Sequence, residues 1–458
     1  MKSSKTIHMT EGNEVTQILR FMLPMLVGAA FQQLYTFVDS IVVGRYVGPV
    51  ALGSVGAAAG IVNLFMALCV GLSGGVNICA AQSFGAGDEK KLKQVVANSV
   101  YVTLASGLVM GLIGLILARP ILLLMGTPAE NLTYALVYMR LVCGAMVITA
   151  AYNTISQILR ALGDSVTPLI YIVISSLINV GMDIVLVLYF SMGVAGVAIA
   201  TVVAQGVSVI GLWLHGKKHL VCMQLQGQDM QPDWHLIQKI CELGIPLALQ
   251  NAMASISGVV CQGIVNSFGS QVMSAYTIVC RLNEFFMLPF GYYGMAMANF
   301  AGQNTGAGKH DRIYRGCRRS LYITSIYSLV CMAIILAGRR ILVGMFVDDV
   351  TVAELAIPGL LLNGVCMLIR QIIYIYKATL NGAGDAFFTL WNGVVEVVAN
   401  ILFMFACTSW LSLGHMGIWY SMIPAAVLSA MLSAGRFYSG KWKQKRIFKV
   451  RFCLSDFG

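Results

Sequence analysis

Apolar runs of twenty or more residues alternate along the chain with short breaks rich in glycine, proline and charge. Read between those breaks, the runs predict helices over 17–43, 51–81, 94–118, 134–159, 167–190, 194–214, 236–266, 271–302, 317–337, 353–378, 386–409 and 416–437. About 20 apolar residues is the length a helix needs to cross a hydrocarbon core of about 30 Å. Helix is the default, because lipid offers an unpaired backbone group no partner. The expected fold class is an all-α membrane protein with twelve transmembrane helices.

The pattern also repeats. Gln82-Ser-Phe-Gly-Ala-Gly87, after the second helix, recurs as Gln303-Asn-Thr-Gly-Ala-Gly308 after the eighth, and Leu159-Arg-Ala-Leu-Gly-Asp164 recurs as Leu380-Asn-Gly-Ala-Gly-Asp385, both at an offset of 221. Pro24 in the first helix matches Pro246 in the seventh at 222. One spacing shared by several motifs in matching helical positions indicates an internal duplication. Six helices per half is an even number, so the second half enters the membrane from the same side as the first. The halves are then parallel repeats related by an axis along the membrane normal. The expected organisation is a cytoplasmic segment 1–16, an N-lobe 17–214, a cytoplasmic linker 215–234, a C-lobe 235–437 and a basic tail 438–458. Two pseudo-symmetric lobes suit alternating access better than a pore, and no carbonyl-filter motif is present.

Composition sharpens this. Of 458 residues 58% are hydrophobic and only 11% charged, against about 25% charged in an ordinary soluble domain; a soluble fold would lack polar surface. The net charge of +11 does not point to nucleic acid, since the cations are scattered over short loops and the tail. Outside the spans, Lys and Arg fall on the N-terminal side with the exceptions of Arg45, Arg119, Arg339 and Arg340. The positive-inside rule then puts both termini in the cytoplasm, and the polar start 1–16 lacks the pattern of a cleaved signal. The cysteines are scattered without CxxC or nearby histidine clusters and read as small core residues.

Charges inside spans are the candidate chemistry, since each costs roughly 2.5–3.5 kcal/mol on insertion scales. The first half places Asp39 in helix 1 and Asp183 in helix 5, both about two thirds of the way outward, with Arg140 near the outer end of helix 4. If they share a cleft, the two carboxylates cannot both ionise cheaply, and the pair becomes a site for a proton or, with oxygen neighbours, for Na⁺. Asn179 lies one turn before Asp183 on the same face, and Thr201 in helix 6 supplies a hydroxyl. The second half carries Arg281, Glu284, Arg370 and Glu396, readable as a packed charge network or as substrate or coupling groups. Pro24 removes a backbone donor from helix 1 and marks an expected kink. The expected substrate cavity is lined by Gln32, Tyr35, Asn153, Gln250, Met253, Arg281, Glu284, Phe286, Met287, Arg370 and Tyr374. Methionines and aromatics suit a surface that repacks around varied ligands.

Several of these segments together resemble the multidrug and toxic compound extrusion (MATE) family: Phe37-Val-Asp39-Ser-Ile-Val-Val-Gly44-Arg45, Gln82 to Gly87, Leu159 to Asp164 with Thr167-Pro168, Asn179-x-x-x-Asp183, and the second-half copies ending in Gly308 and Asp385. The likeness spans about residues 14–440. It implies a two-lobed bundle that exports amphipathic, often cationic compounds against inward H⁺ or Na⁺, with the cation at the positions of Asp39, Asn179, Asp183 and Thr201. Some members add an acid in helix 7, whose intramembrane part has none here. The GxxxDRxGRR-like loop of the major facilitator superfamily and the GxxxxGK[ST] loop of ATP-driven pumps are absent. A lipid-linked oligosaccharide flippase of related architecture is the alternative, resting on Arg281 and Arg370. No HExxH, DDxxD or Ser/His constellation indicates an enzyme. The expectation is a monomer in the inner (plasma) membrane, with small-molecule and bilayer partners and no nucleic acid. It needs no cofactor beyond H⁺ or Na⁺ as coupling ion, and no metal beyond Na⁺ at Asp39 and Asp183.

Overall fold

The computed structural model describes residues 6–445 and 447, apart from the side chain of Ala254; Lys2, Lys5, Arg446, Lys449 and Arg451, counted above for topology, lie outside the described residues. The helices are α1 (Glu14–Val42), α2 (Pro49–Gly85), α3 (Glu89–Leu124), α4 (Ala129–Gly144), α5 (Met146–Ala161), α6 (Val166–Ile184), α7 (Gly193–His219), α8 (Trp234–Asn266), α9 (Ser270–Gly306), α10 (His310–Gly344), α11 (Val350–Gly382), α12 (Ala386–Phe405), α13 (Met416–Tyr420) and α14 (Met422–Tyr438). Ten segments, counting α13 with α14, are long and apolar enough to cross a membrane, and α4 with α5 forms a bent eleventh. α9 is 37 residues long but less apolar, carrying Arg281, Asn283, Glu284, Asn299, Gln303 and Asn304. With it, the twelve expected spans are accounted for in order.

One local feature differs from the expectation. The span predicted as one helix over 134–159 bends by 49° between α4 and α5, at Ala145, whose N–H is shared between the carbonyls of Leu141 and Val142. No proline announces that bend. Pro24 sits inside α1, and α-helix continues on both sides of it.

Two compact units emerge, Met1–His8 with Arg20–Leu249, and Met9–Leu19 with Gln250–Gly458. In unit 1 the first half of α8 crosses α2 at glycines: a Cβ at Gly75 would lie 2.3 Å from the Ile240 carbonyl oxygen, and one at Gly71 would lie 2.2 Å from the Ala248 Cα. Small residues of this kind are what let two helices approach backbone to backbone in lipid. The segment between α7 and α8 is tied to the start of α3, with Lys93 Nζ 2.8 Å from Asp229 and the Asp233 N–H donated to Asn98 Oδ1 at 2.8 Å. The Lys93 ammonium holds the Asp229 carboxyl below its ordinary range. In unit 2 the segment Met9–Leu19 is anchored at the start of α10: Arg312 donates to the carbonyls of Met9 and Glu11, and the Glu14 carboxylate takes Arg315 at 3.2 Å and Arg319 at 2.5 Å.

The duplication is visible in the backbone. Left-handed turns fall at Gly48 and Gly269, Gly87 and Gly308, Gly163 and Gly384, and Gly193 and Gly414, every pair 221 residues apart. Even the two non-glycine residues with positive φ among those described, Ser191 and Ser412, are such a pair. A five-residue π turn ends α6 at Val185–Tyr189 and recurs after α12 at Ala406–Trp410. Side chains at equivalent positions have diverged. Asp164 accepts the N–H of Thr167 at 2.9 Å and so caps the start of α6, whereas Asp385 forms a bidentate pair with Arg436 at 2.7 and 3.2 Å.

The α2–α8 crossing generates a prediction. Gly75→Val forces a side chain against backbone with nowhere to move and is expected to cost about 1–3 kcal/mol, read as a lowered melting temperature of the purified protein in detergent. Gly435→Ala, where a Cβ meets nothing within 4 Å, leaves the melting temperature unchanged or raised.

Candidate functional site

Unit 1 brings Asp39 and Asp183 together. Asp39 stands in the last turn of α1, just before the π turn Val43–Val47, and Asp183 in the last turn of α6, just before the π turn Val185–Tyr189. A valine-rich cluster joins the two turns: Val42, Val43, Ala51, Val187, Val194 and Val197 are buried, with Val38, Val47, Val55 and Tyr138 packed on them. Burying these β-branched side chains holds the two helix ends at one level. The carboxyl groups they carry come within hydrogen-bonding reach of each other.

Asp183 is fully buried, and neither of its oxygens has a hydrogen-bond donor. Two ionised carboxylates offer each other acceptors only, so the contact closes only when a proton or a cation lies between them. Asn179 is buried beside the pair. With its amide turned so that nitrogen faces Asp39, it donates to Asp39 Oδ1 at 2.9 Å while its oxygen accepts the Thr201 N–H at 3.3 Å. The Thr201 hydroxyl donates to the Val197 carbonyl at 3.0 Å and keeps its lone pairs. Carboxylate and hydroxyl oxygens suit a hard cation, and the orphaned Asp183 oxygens fit one, while the Asn179 amide orients Asp39. A cavity of about 480 Å³ lies against both π turns, lined by Tyr46, Val47, Val187, Ser191 and Met192 among others. A larger cavity of about 930 Å³, lined by His8, Phe84, Lys90, His215 and His219, includes none of the expected site residues. Sequence reasoning missed Tyr138, which lies near both aspartates and Tyr35; an aromatic in an apolar helix carries no distinguishing signal.

The expected cavity residues scatter in their surroundings. In unit 1, Gln32 is exposed, Tyr35 lies beside Asp39, and Asn153 donates along its own helix to the Thr149 carbonyl at 2.9 Å. In unit 2, Gln250 donates to the Thr389 carbonyl at 2.9 Å, Met253 is half-buried and Tyr374 exposed. Phe286 and Met287 are buried in the unit 2 core rather than on an open face; their place on α9 puts them opposite the exposed Phe285. Arg281 and Glu284 pair with each other at 3.3 Å on an exposed face of α9. Lys377, inside the span predicted over 353–378, lies in α11 and pairs with Glu396 of α12 at 3.2 Å.

The family model described as MatE matches this chain twice, over residues 24–185 and again over 246–406, the same two halves that the turns define. The chain belongs to the MatE family. Among curated relatives, the probable multidrug resistance protein YoeA of Bacillus subtilis is 27% identical over 94% of each chain. A second from the same organism, the probable multidrug resistance protein YpnP, is 31% identical over 68% of this chain and 69% of its own. Among solved structures, a MATE protein in a bent conformation superposes with a TM-score of 0.90 at 22% identity, covering 98% of this chain and all of that one. That likeness establishes the fold: two six-helix halves in a multi-pass membrane protein of the MatE family.

The Lys377–Glu396 pair can be tested directly. Lys377→Met leaves the half-buried Glu396 carboxylate with only the Ser429 hydroxyl, at 3.2 Å, and is expected to destabilise unit 2 by about 1–3 kcal/mol, less than for a fully buried pair because Glu396 is partly exposed. The double variant with Glu396→Gln recovers at least half of that loss in a thermal-unfolding double-mutant cycle.

Proposed function

We propose that this protein exports amphipathic, often cationic small molecules across the plasma membrane in exchange for H⁺ or Na⁺ by alternating access, with Asp39, Asp183, Asn179 and Thr201 holding the coupling ion. The observation that carries this reading is the meeting of two acids at one depth of unit 1, one of them fully buried with no donor for either oxygen. The names of the relatives, probable multidrug resistance proteins, support the substrate class. The lobes are 17–214 and 235–437 around the linker 215–234, both termini are cytoplasmic, and the working unit is a monomer. The work is transport, with no bond made or broken in the substrate.

Physically, an ion between the carboxylates cancels a repulsion that otherwise loosens the ends of α1 and α6. Their valine-packed turns then settle in one arrangement, and without the ion in another. Coupling needs only that drug-bound and ion-bound forms favour different arrangements. The 480 Å³ cavity against the π turns is the route by which the ion arrives, and Pro24, a point in α1 without its backbone bond, is where the helix yields.

Inside-out membrane vesicles carrying a fluorescent cationic dye, energised separately by a proton or a sodium gradient, test this. Asp39→Asn and Asp183→Asn each lower gradient-driven dye transport at least about tenfold, whereas Asn179→Ala raises the ion concentration needed for half-maximal transport. Full gradient-driven transport by both aspartate variants removes the pair from the coupling role.

A further inference from the structure

The duplication allows every charge within a span of unit 2 to be compared with its partner position in unit 1. The helices α9, α11 and α12 hold six such charges, and four are matched: Arg281 with Glu284 at 3.3 Å, and Lys377 with Glu396 at 3.2 Å. Glu354 is exposed near the start of α11, which leaves Arg370. Among the described residues it has no carboxylate within 4.0 Å; Tyr276, Cys280, Cys366 and Tyr374 surround it, with the paired Glu284 also near Cys280 and the paired Glu396 near Tyr374. Arg370 stands well inside α11, twelve residues before Gly382, or about 18 Å along the helix axis.

A lone guanidinium at such a depth is expensive and cannot face lipid without a partner. It is not there to build the fold. The position 221 residues earlier is Thr149, and those matching Tyr374 and Lys377 are Asn153 and Ser156, so the equivalent stretch of α5 is helical without a cation at these positions. Unit 1's acids are likewise without charged equivalents in unit 2: Asp183 and Thr201 correspond to Met404 and Met422, and Asp39 to Val260 or Cys261 at offsets of 221 or 222. Met404, Met422 and Cys261 belong to the unit 2 core. One framework has therefore been made acidic in one half and left with a single surplus cation in the other.

We propose that Arg370 is a specificity-determining residue that binds the anionic group of the transported compound, so that unit 2 favours aromatic amphiphiles bearing a carboxylate, zwitterions included. This rests on the export reading above and adds a substrate class to it. The guanidinium fork matches a carboxylate with two parallel hydrogen bonds. Tyr374, one turn further along the same face of α11 and 38% exposed, presents an aromatic plane beside it and is itself backed by Phe290, whose ring stacks with it at a centroid distance of 6.2 Å. An aromatic body on Tyr374 places its acid substituent at Arg370.

Rhodamine B and its ethyl ester differ only in one carboxylate, free in the first and masked in the second, and serve as a matched pair of probes. Equilibrium binding of each to the purified protein at neutral pH, followed by fluorescence anisotropy, is compared for wild type, Arg370→Gln and Arg370→Lys. In Arg370→Gln the Kd for rhodamine B rises about tenfold or more, while that for the ester stays within about twofold, which also reports that the variant is folded. Arg370→Lys, which keeps the charge and loses the fork, falls between. Equal changes for the two dyes, no change for either, or no binding of rhodamine B to the wild type overturns the proposal. The binding measurement is independent of gradients. Selective loss of the acid form in a protein that moves neither dye in vesicles overturns the export reading and leaves Arg370 as an anion site. Export of both dyes with no discrimination by the variants does the reverse.

Discussion

Hydrocarbon accepts no hydrogen bond and solvates no charge, so each polar group that this chain carries into the membrane must find its partner within the protein. That constraint explains most of what distinguishes one part of the bundle from another. The Lys377 ammonium meets Glu396, and Thr324 and Ser325 share the buried Gln371 amide. In unit 1 the hydroxyls of Thr103 and Ser73 both find Thr154. Against that background the Asp183 oxygens, buried without a donor beside a second acid, and the Arg370 guanidinium, with no carboxylate within 4.0 Å, stand out. A buried polar group without a partner is a standing cost.

The internal duplication separates what the fold needs from what the function needs. Glycines in left-handed turns recur at one offset through both halves because those turns have no other conformation available at so little cost. At Gly163, φ is +88° and an added Cβ would come within 2.1 Å of the Ile7 carbonyl oxygen, so the site is closed to other residues twice over. By contrast the acids, Thr201 and Arg370 stand at positions where the other half uses uncharged side chains without disturbing the helices, whereas Asn179 has its like in Asn400. At the acids and Arg370 the difference between the halves marks the candidate chemistry.

Much of this was legible from the sequence. Apolar runs long enough to span a bilayer are unambiguous, and repeated Gly-rich motifs at one offset revealed the halves before any contact was known. Asp39 and Asp183 announced themselves because an acid in an apolar run is costly and needs a reason. Tyr138 did not, since a tyrosine among valines and leucines is ordinary packing until its neighbours are known. The bend at Ala145 was hidden because neither proline nor a polar break marks it; the shared hydrogen bonds of its N–H are a tertiary outcome. The partner of Lys377 was equally hidden, since Glu396 lies on a different helix. Phe286 and Met287 illustrate the same limit: on α9, helical spacing alone does not say which face meets the core and which remains open.

The π turns show how the shared framework and the specific chemistry are joined. Such turns are rare and concentrate at functional sites, and one follows each aspartate closely, so the temptation is to read the turn as the signature of the ion site. Ala406–Trp410 argues otherwise. It repeats the turn of Val185–Tyr189 at the same register, yet the residue matching Asp183 is Met404, sealed in the core. The turn therefore belongs to the inherited helix end. A wider turn loosens the backbone ladder just beyond the last helical residues and lets them shift without breaking the span. Unit 1 carries its acids where that freedom already exists, at the ends of two helices at once.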